Sequence, residues 1–122
     1  MPTLLLFLAA PMAPAVEQSD VDHAWTVLRD GVDDKNADHR AKAVHALGSI
    51  THNQRAEEWA EKSLSDSSPD VRLEAAAALG QMGAVGARPK LRDILNDADV
   101  KVVVAAANSL YLLKDPAAYD VY

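Results

Sequence analysis

Cysteine is absent from this chain. Its absence excludes disulfide bonds, thiolate nucleophiles and thiolate-ligated zinc. Aromatic residues are almost as scarce, with one Phe, two Trp and three Tyr. A β-sandwich leans on aromatic and β-branched residues, and the β-branched run Val100-Lys101-Val102-Val103-Val104 gives way at once to alanines. Long apolar runs are missing too. Leu4 to Ala10 (LLLFLAA) falls well short of the roughly 20 residues a helix needs to cross a bilayer. Basic residues are outnumbered, 12 against 18 acids for a formal charge of −6. They are scattered among the acids instead of forming one basic face, which argues against nucleic acid as a partner.

Recognisable catalytic motifs are lacking as well. None of the serines sits in a G-x-S-x-G elbow. The glycine-rich stretch Gly80 to Gly86 (GQMGAVG) follows a helical pattern, whereas a phosphate-cradling loop follows a strand. His39, His45 and His52 include no i, i+4 pair of the kind that holds a metal on one helix face. Paired acids such as Asp33-Asp34 and Glu57-Glu58 read as a helix cap and a solvated face. The sequence thus yields no catalytic residue, no metal ligand and no cofactor site.

What the chain does contain is alanine. Hydrophobic residues reach 49% of 122, enough for the core of one domain, and alanine supplies much of that share. Alanine is the best helix former and lets helices approach closely. Before the helical part comes a segment of different character. The apolar run Leu4 to Ala10 is followed by Pro11-Met12-Ala13-Pro14-Ala15, with an Ala13-x-Ala15 pattern. That is the order of a secretory signal peptide, although no Lys or Arg precedes the run. The expectation is that residues 1–15 are a signal peptide, that the mature domain spans 16–122, and that the chain is exported, for instance to a periplasm; without cleavage the expected place is the cytoplasm.

From about residue 21 the chain repeats. Asp38-His39-Arg40-Ala41-Lys42-Ala43-Val44-His45-Ala46-Leu47-Gly48 aligns with Asp70-Val71-Arg72-Leu73-Glu74-Ala75-Ala76-Ala77-Ala78-Leu79-Gly80, and more loosely with Val102 to Leu110. Leu47, Leu79 and Leu110 are 32 and then 31 residues apart. Matching on Asp99-Val100-Lys101 instead would place the third copy 29 residues on. Apolar stripes with i, i+3, i+4 spacing make each copy the second helix of a pair. The upstream stripes are Val21, Ala24, Trp25 and Leu28; then Ala56, Trp59, Ala60 and Leu64; then Leu91, Ile94 and Leu95. Turn formers separate the helices, and Gly48, Gly80 and Gly83 lie where a left-handed C-cap is expected. The repeats fall at about 21–50, 53–83 and 86–115, with a partial fourth at 116–122. Trp25 and Trp59 lie on the expected buried stripes, so packing is their simplest role and surface recognition the alternative.

The recurring Asp, Val-Arg, paired alanines and Leu-Gly, written most fully in Asp70-Val71-Arg72, Ala75, Ala76, Ala78, Leu79 and Gly80, resemble the second helix of a HEAT repeat. The period near 31 is similar to the short bacterial, phycobilisome-lyase-type version. The resemblance implies an all-α fold, a right-handed α-α superhelix of about three helix pairs plus a partial fourth. It implies a ladder of hydrogen bonds between repeats, transferred here to Asp38 with Arg40 and to Asp70 with Arg72, with only Asp99 and Lys101 available in the third unit. It further implies a non-catalytic protein-binding scaffold. Two alternatives are a bilin-lyase-like enzyme or accessory, and a fragment of a larger repeat array. The His-Glu dipeptides of di-iron HEAT-repeat hydroxylases are absent.

In such a solenoid the second helices line the concave side. The columns off the core stripe are Lys42, Glu74 and Ala105; His45, Ala77 and Asn108; and Ser49, Gln81 and Leu112. They are the candidate contacts for a protein partner of unknown identity, since a strip of mixed small side chains accepts an extended segment or a helix.

Overall fold

The structure is a computed structural model and describes residues 17–121. The apolar N-terminal run and the expected cleavage site lie outside the described residues. Six α-helices follow in order: α1 (Gln18–Val32), α2 (Ala37–Leu47), α3 (Gln54–Ser63), α4 (Pro69–Gln81), α5 (Arg88–Ile94) and α6 (Val100–Leu112). A 3₁₀ turn (Val85–Ala87) leads into α5 and another (Pro116–Val121) follows α6. Among the described residues there is no strand, and the architecture is an all-helical stack, consistent with a short HEAT-like solenoid.

The helix starts fix the register. The N-caps of the second helices are Asn36, Ser68 and Asp99, which are 32 and 31 residues apart. Asn36 accepts from the Asp38 and His39 N–H groups, and Asp99 accepts from Lys101 N–H, satisfying donors that a helix leaves open. Pro69 occupies the first turn of α4, where its missing N–H costs nothing. The alternative 29-residue match is therefore wrong, and the position of Arg40 and Arg72 is held in the third unit by Val103, not Lys101.

The helix ends depart from expectation. Gly83 is left-handed, with φ of 71°, and Ala84 N–H returns to Leu79 C=O at 3.0 Å. Lys114 does the same work after α6, with φ of 59° and Asp115 N–H on Leu110 C=O at 2.8 Å. Gly48, by contrast, is right-handed, and Gly80 lies inside α4. Neither is a left-handed cap. Residues 116–121 form a 3₁₀ turn where the opening of a further α-helix was expected.

The core runs along the stack as one cluster. Val44, Leu47, Ala56, Ala60, Leu64, Val71, Ala75, Leu79, Met82, Leu91, Ala106 and Leu110 are among its buried members, and no single pair of helices could cover these faces alone. The second helices pack directly on one another, α2 on α4 and α4 on α6, while the first helices touch mainly their own partners. Glycine permits that closeness. A Cβ on Gly80 would stand 2.8 Å from the Cα of Ser109. Ser109 is buried there, its hydroxyl donating to the Ala76 carbonyl of α4. The terminal helix α1 has no fully buried residue, and Ala24, placed on its inner stripe by periodicity, is exposed.

Candidate functional site: the exposed strip and the rungs beneath it

The implied ladder exists, with different aspartates. Arg40 donates through Nε and Nη2 to the Asp66 carboxylate at 2.9 and 3.0 Å, and through Nη1 to the Asp34 and Lys35 carbonyls. One repeat on, Arg72 grips Asp97 at 2.8 and 3.2 Å and the Asp66 and Ser67 carbonyls. Asp38 and Asp70 stand exposed at helix starts and take no part. The physical reason is reach. An arginine one turn into a second helix points back over its own inter-helix turn and across to the next, and Asp66 and Asp97 lie in those next turns. The same two carboxylates accept N–H bonds from Ser68 and Asp99, both at 2.9 Å, so each turn is built and bolted to its neighbour by one side chain.

These contacts shift the carboxylates. The Arg72 guanidinium holds Asp97 below its ordinary value, against the opposing effect of burial, with help from the Asp99 N–H. At Asp66 burial pushes upward, but Arg40 and the Ser68 N–H outweigh it and the net shift is downward. Asp115 is also lowered, first by the Ala117 N–H, against burial, and then by Arg92, whose Nε lies 3.0 Å away.

The candidate strip lies along the second helices. Lys42, His45, Ser49, Gln81, Asn108 and Leu112 are exposed, and Glu74, Ala77 and Ala105 are half-buried. The columns are thus accessible on three successive second helices. The structure joins two of them: His45 Nδ1 lies 2.9 Å from Glu74 Oε2, bridging α2 and α4. A carboxylate only accepts, so Nδ1 carries the proton in this contact. Ala41, Lys42, His45 and Glu74 line a shallow hollow of about 350 Å³. Among the described residues no three His, Asp or Glu side chains converge as metal ligands.

A larger hollow, about 520 Å³, opens among the first helices and the turns, lined by Arg29, Val32, Arg40, Trp59, Lys62 and Asp66 among others. Sequence reasoning missed it, because it is assembled from α1, α2, α3 and the turns between helices, which periodicity does not bring together. Much of its ionic lining is already committed to the Arg40 rung. Trp25 and Trp59 close its neighbourhood, meeting edge to face at 5.4 Å with the Arg55 guanidinium 4.8 Å from the Trp25 ring centre. Both rings are half-buried.

Comparison with known families now decides the fold family. The family model for HEAT repeats matches residues 25–111. The chain belongs to the HEAT repeat family. HEAT repeats generally mediate protein–protein interaction, and the family is typically a non-catalytic scaffold. The match covers all six helices of this HEAT domain in whole or part and does not distinguish the phycobilisome-lyase-type subgroup. No curated protein matches the chain. Among the described residues no helix is long and apolar enough to cross a membrane.

Proposed function

We propose that this HEAT domain is a non-catalytic scaffold that holds a protein partner along its second helices, on the inner side of the curve. The observation that supports this reading is the exposed strip itself. Lys42, Glu74 and Ala105, then His45, Ala77 and Asn108, recur at equivalent positions on three adjacent helices. Close spacing of the second helices beside sparsely touching first helices bends a stack toward its second-helix side, making that side concave. The small side chains leave room for a partner backbone, while Lys42, His45 and Glu74 supply polar anchors at one end.

A photo-crosslinking residue at Ala77 tests the reading. It should capture a protein partner, and Lys42→Glu combined with Glu74→Lys should abolish that capture without moving the thermal midpoint. Capture that survives the double reversal removes the proposal. Export belongs to the same reading: the Leu4–Ala10 run followed by Ala13-x-Ala15 supports cleavage before Val16. N-terminal sequencing of the protein from its native cells checks it, and a mature chain beginning at Met1 would overturn it.

A further inference from the structure

We propose that α1 is a lid, which swings off the stack as a unit about a hinge at residues 31–33 while α2 to α6 stay folded. With 15 residues α1 is the longest helix, yet it alone among the six has no buried residue. Trp25, Leu28 and Val32 lie against the core and stay half-buried. The side-chain hydrogen bonds of α1 stay within the helix, from Gln18 to Asp22, from Thr26 to the Asp22 carbonyl and from Arg29 to Asp30. Every other helix is tied across the stack by such a bond. Arg40 joins α2 to the turn before α4, Lys90 joins α5 to Glu61 of α3, and Ser109 joins α6 to α4. What reaches from α1 to α3 is Trp25. It meets Trp59 edge to face at 5.4 Å, and the Arg55 guanidinium lies 4.8 Å from its ring centre. Beside that contact the two helices leave hollows of about 520 and 310 Å³, both lined by Arg29 and Trp59.

The hinge is built into the end of α1. Gly31 lies in its last turn, and glycine weakens a helix from within. A Cβ on Gly31 would stand 2.7 Å from the Ala43 Cβ, so this end of α1 rests closely on α2 and serves as the pivot. The turn that follows belongs to α2. Arg40 holds the Asp34 and Lys35 carbonyls at 3.0 and 3.1 Å, and the Asp34 carboxylate accepts the Asn36 N–H at 2.8 Å. Asp33, which caps α1, has φ of −101° and lacks the left-handed turn that locks the chain at Gly83. The backbone is therefore fixed from residue 34 onward, and the freedom to swing falls on Gly31, Val32 and Asp33. Opening gives up the packing of Trp25, Leu28 and Val32 and breaks no ion pair between helices. An end helix of a stack has a neighbour on one side only, so it opens at a lower free energy than the interior. The swing uncovers Trp59 and the Ala43 side of α2. It leaves the Arg40 rung in place, and Lys42 and His45 stay on α2, so the proposed strip stands or falls separately.

Amide hydrogen exchange of the full chain, followed residue by residue by NMR at neutral pH, reads the opening. Amides from Trp25 to Asp30 should share one level of protection and exchange at least about 100-fold faster than those of α4 and α6. Trp25→Ala should speed exchange in α1 by a further factor of about 10 or more, because it removes the side chain that reaches α3. Val27→Thr, at an exposed valine of the same helix, should leave α1 exchange within about two-fold of the wild type. Protection of α1 equal to that of α4 and α6 overturns the proposal, because α1 would then open only with the whole chain. Protection that climbs steadily from Val21 to Val32 also overturns it, since that is fraying from the helix start and not a swing about Gly31. Exchange in α1 that Trp25→Ala leaves unchanged removes the latch, and the lid with it.

Discussion

The junction between α4 and α6 and the outer face of α6 are one repeat apart and face the same way, yet they differ at two decisive positions. At the junction Gly80 admits Ser109 and Arg72 bolts onto Asp97. On the outer face those positions are Tyr111 and Val103. Stacking in this fold therefore does not follow from greasiness alone, because the outer face of α6 exposes Val104 and Tyr111 without either device. It follows from a missing side chain that sets distance and from a guanidinium that spans two turns.

That contrast can be broken experimentally. Gly80→Val should be the most damaging change. Its Cβ meets both the Ser109 side chain and backbone, which cannot move aside cheaply, so a loss of about 2–3 kcal/mol is expected from overpacking, read by urea denaturation. Arg72→Ala should follow at about 2 kcal/mol. It leaves the Asp97 carboxylate and two turn carbonyls without their donor, and a bond to a charged group is worth about that much. The same variant should change the acid response. Asp66 and Asp97 are lowered in the fold from an ordinary 3.8, so their stabilisation is complete above that value and is lost as pH falls through it toward the folded values. The urea midpoint of the wild type should therefore drop as pH is taken from about 5 to 3, and Arg72→Ala should show a shallower drop. Gly48→Ala sharpens the comparison at the small end. Its new Cβ would collide chiefly with the movable end of Gln81, with backbone no closer than 3.2 Å, so a change within about 0.5 kcal/mol is expected.

The helices and their pairing were legible because alanine and leucine recur at helical spacing and because turn formers sit where caps are needed. The rungs were only half legible. Arg40 and Arg72 stand out in the repeat, but their partners lie 26 and 25 residues downstream, in turns where an aspartate already has a sufficient local explanation. Ser109 takes the place that Ala46 and Ala78 hold in the first two copies, and the sequence offers no reason for the hydroxyl. In three dimensions it is a buried hydroxyl satisfied by the Ala76 carbonyl, a partner one repeat away. Gly80 read as a helix end for the same reason, since close approach between helices and a left-handed cap both call for glycine. Ala24 was misplaced because a terminal helix has a neighbour on one side only, and periodicity marks a stripe without saying how much of it is covered. The columns of the strip were legible as positions, and the His45 to Glu74 bridge was not, because it depends on how far apart α2 and α4 settle.

The double-mutant cycle of Arg72→Ala and Asp97→Ala tests the stacked architecture most directly, since it asks whether residues of consecutive repeats share one interaction. Stability of the wild type, both single variants and the double variant would be measured by urea denaturation at neutral pH. The double variant should lose little more than the worse single variant, a coupling of about 1–2 kcal/mol. Losses that simply add would mean that the two side chains do not meet, and the stack described above would not be the structure of the protein in solution.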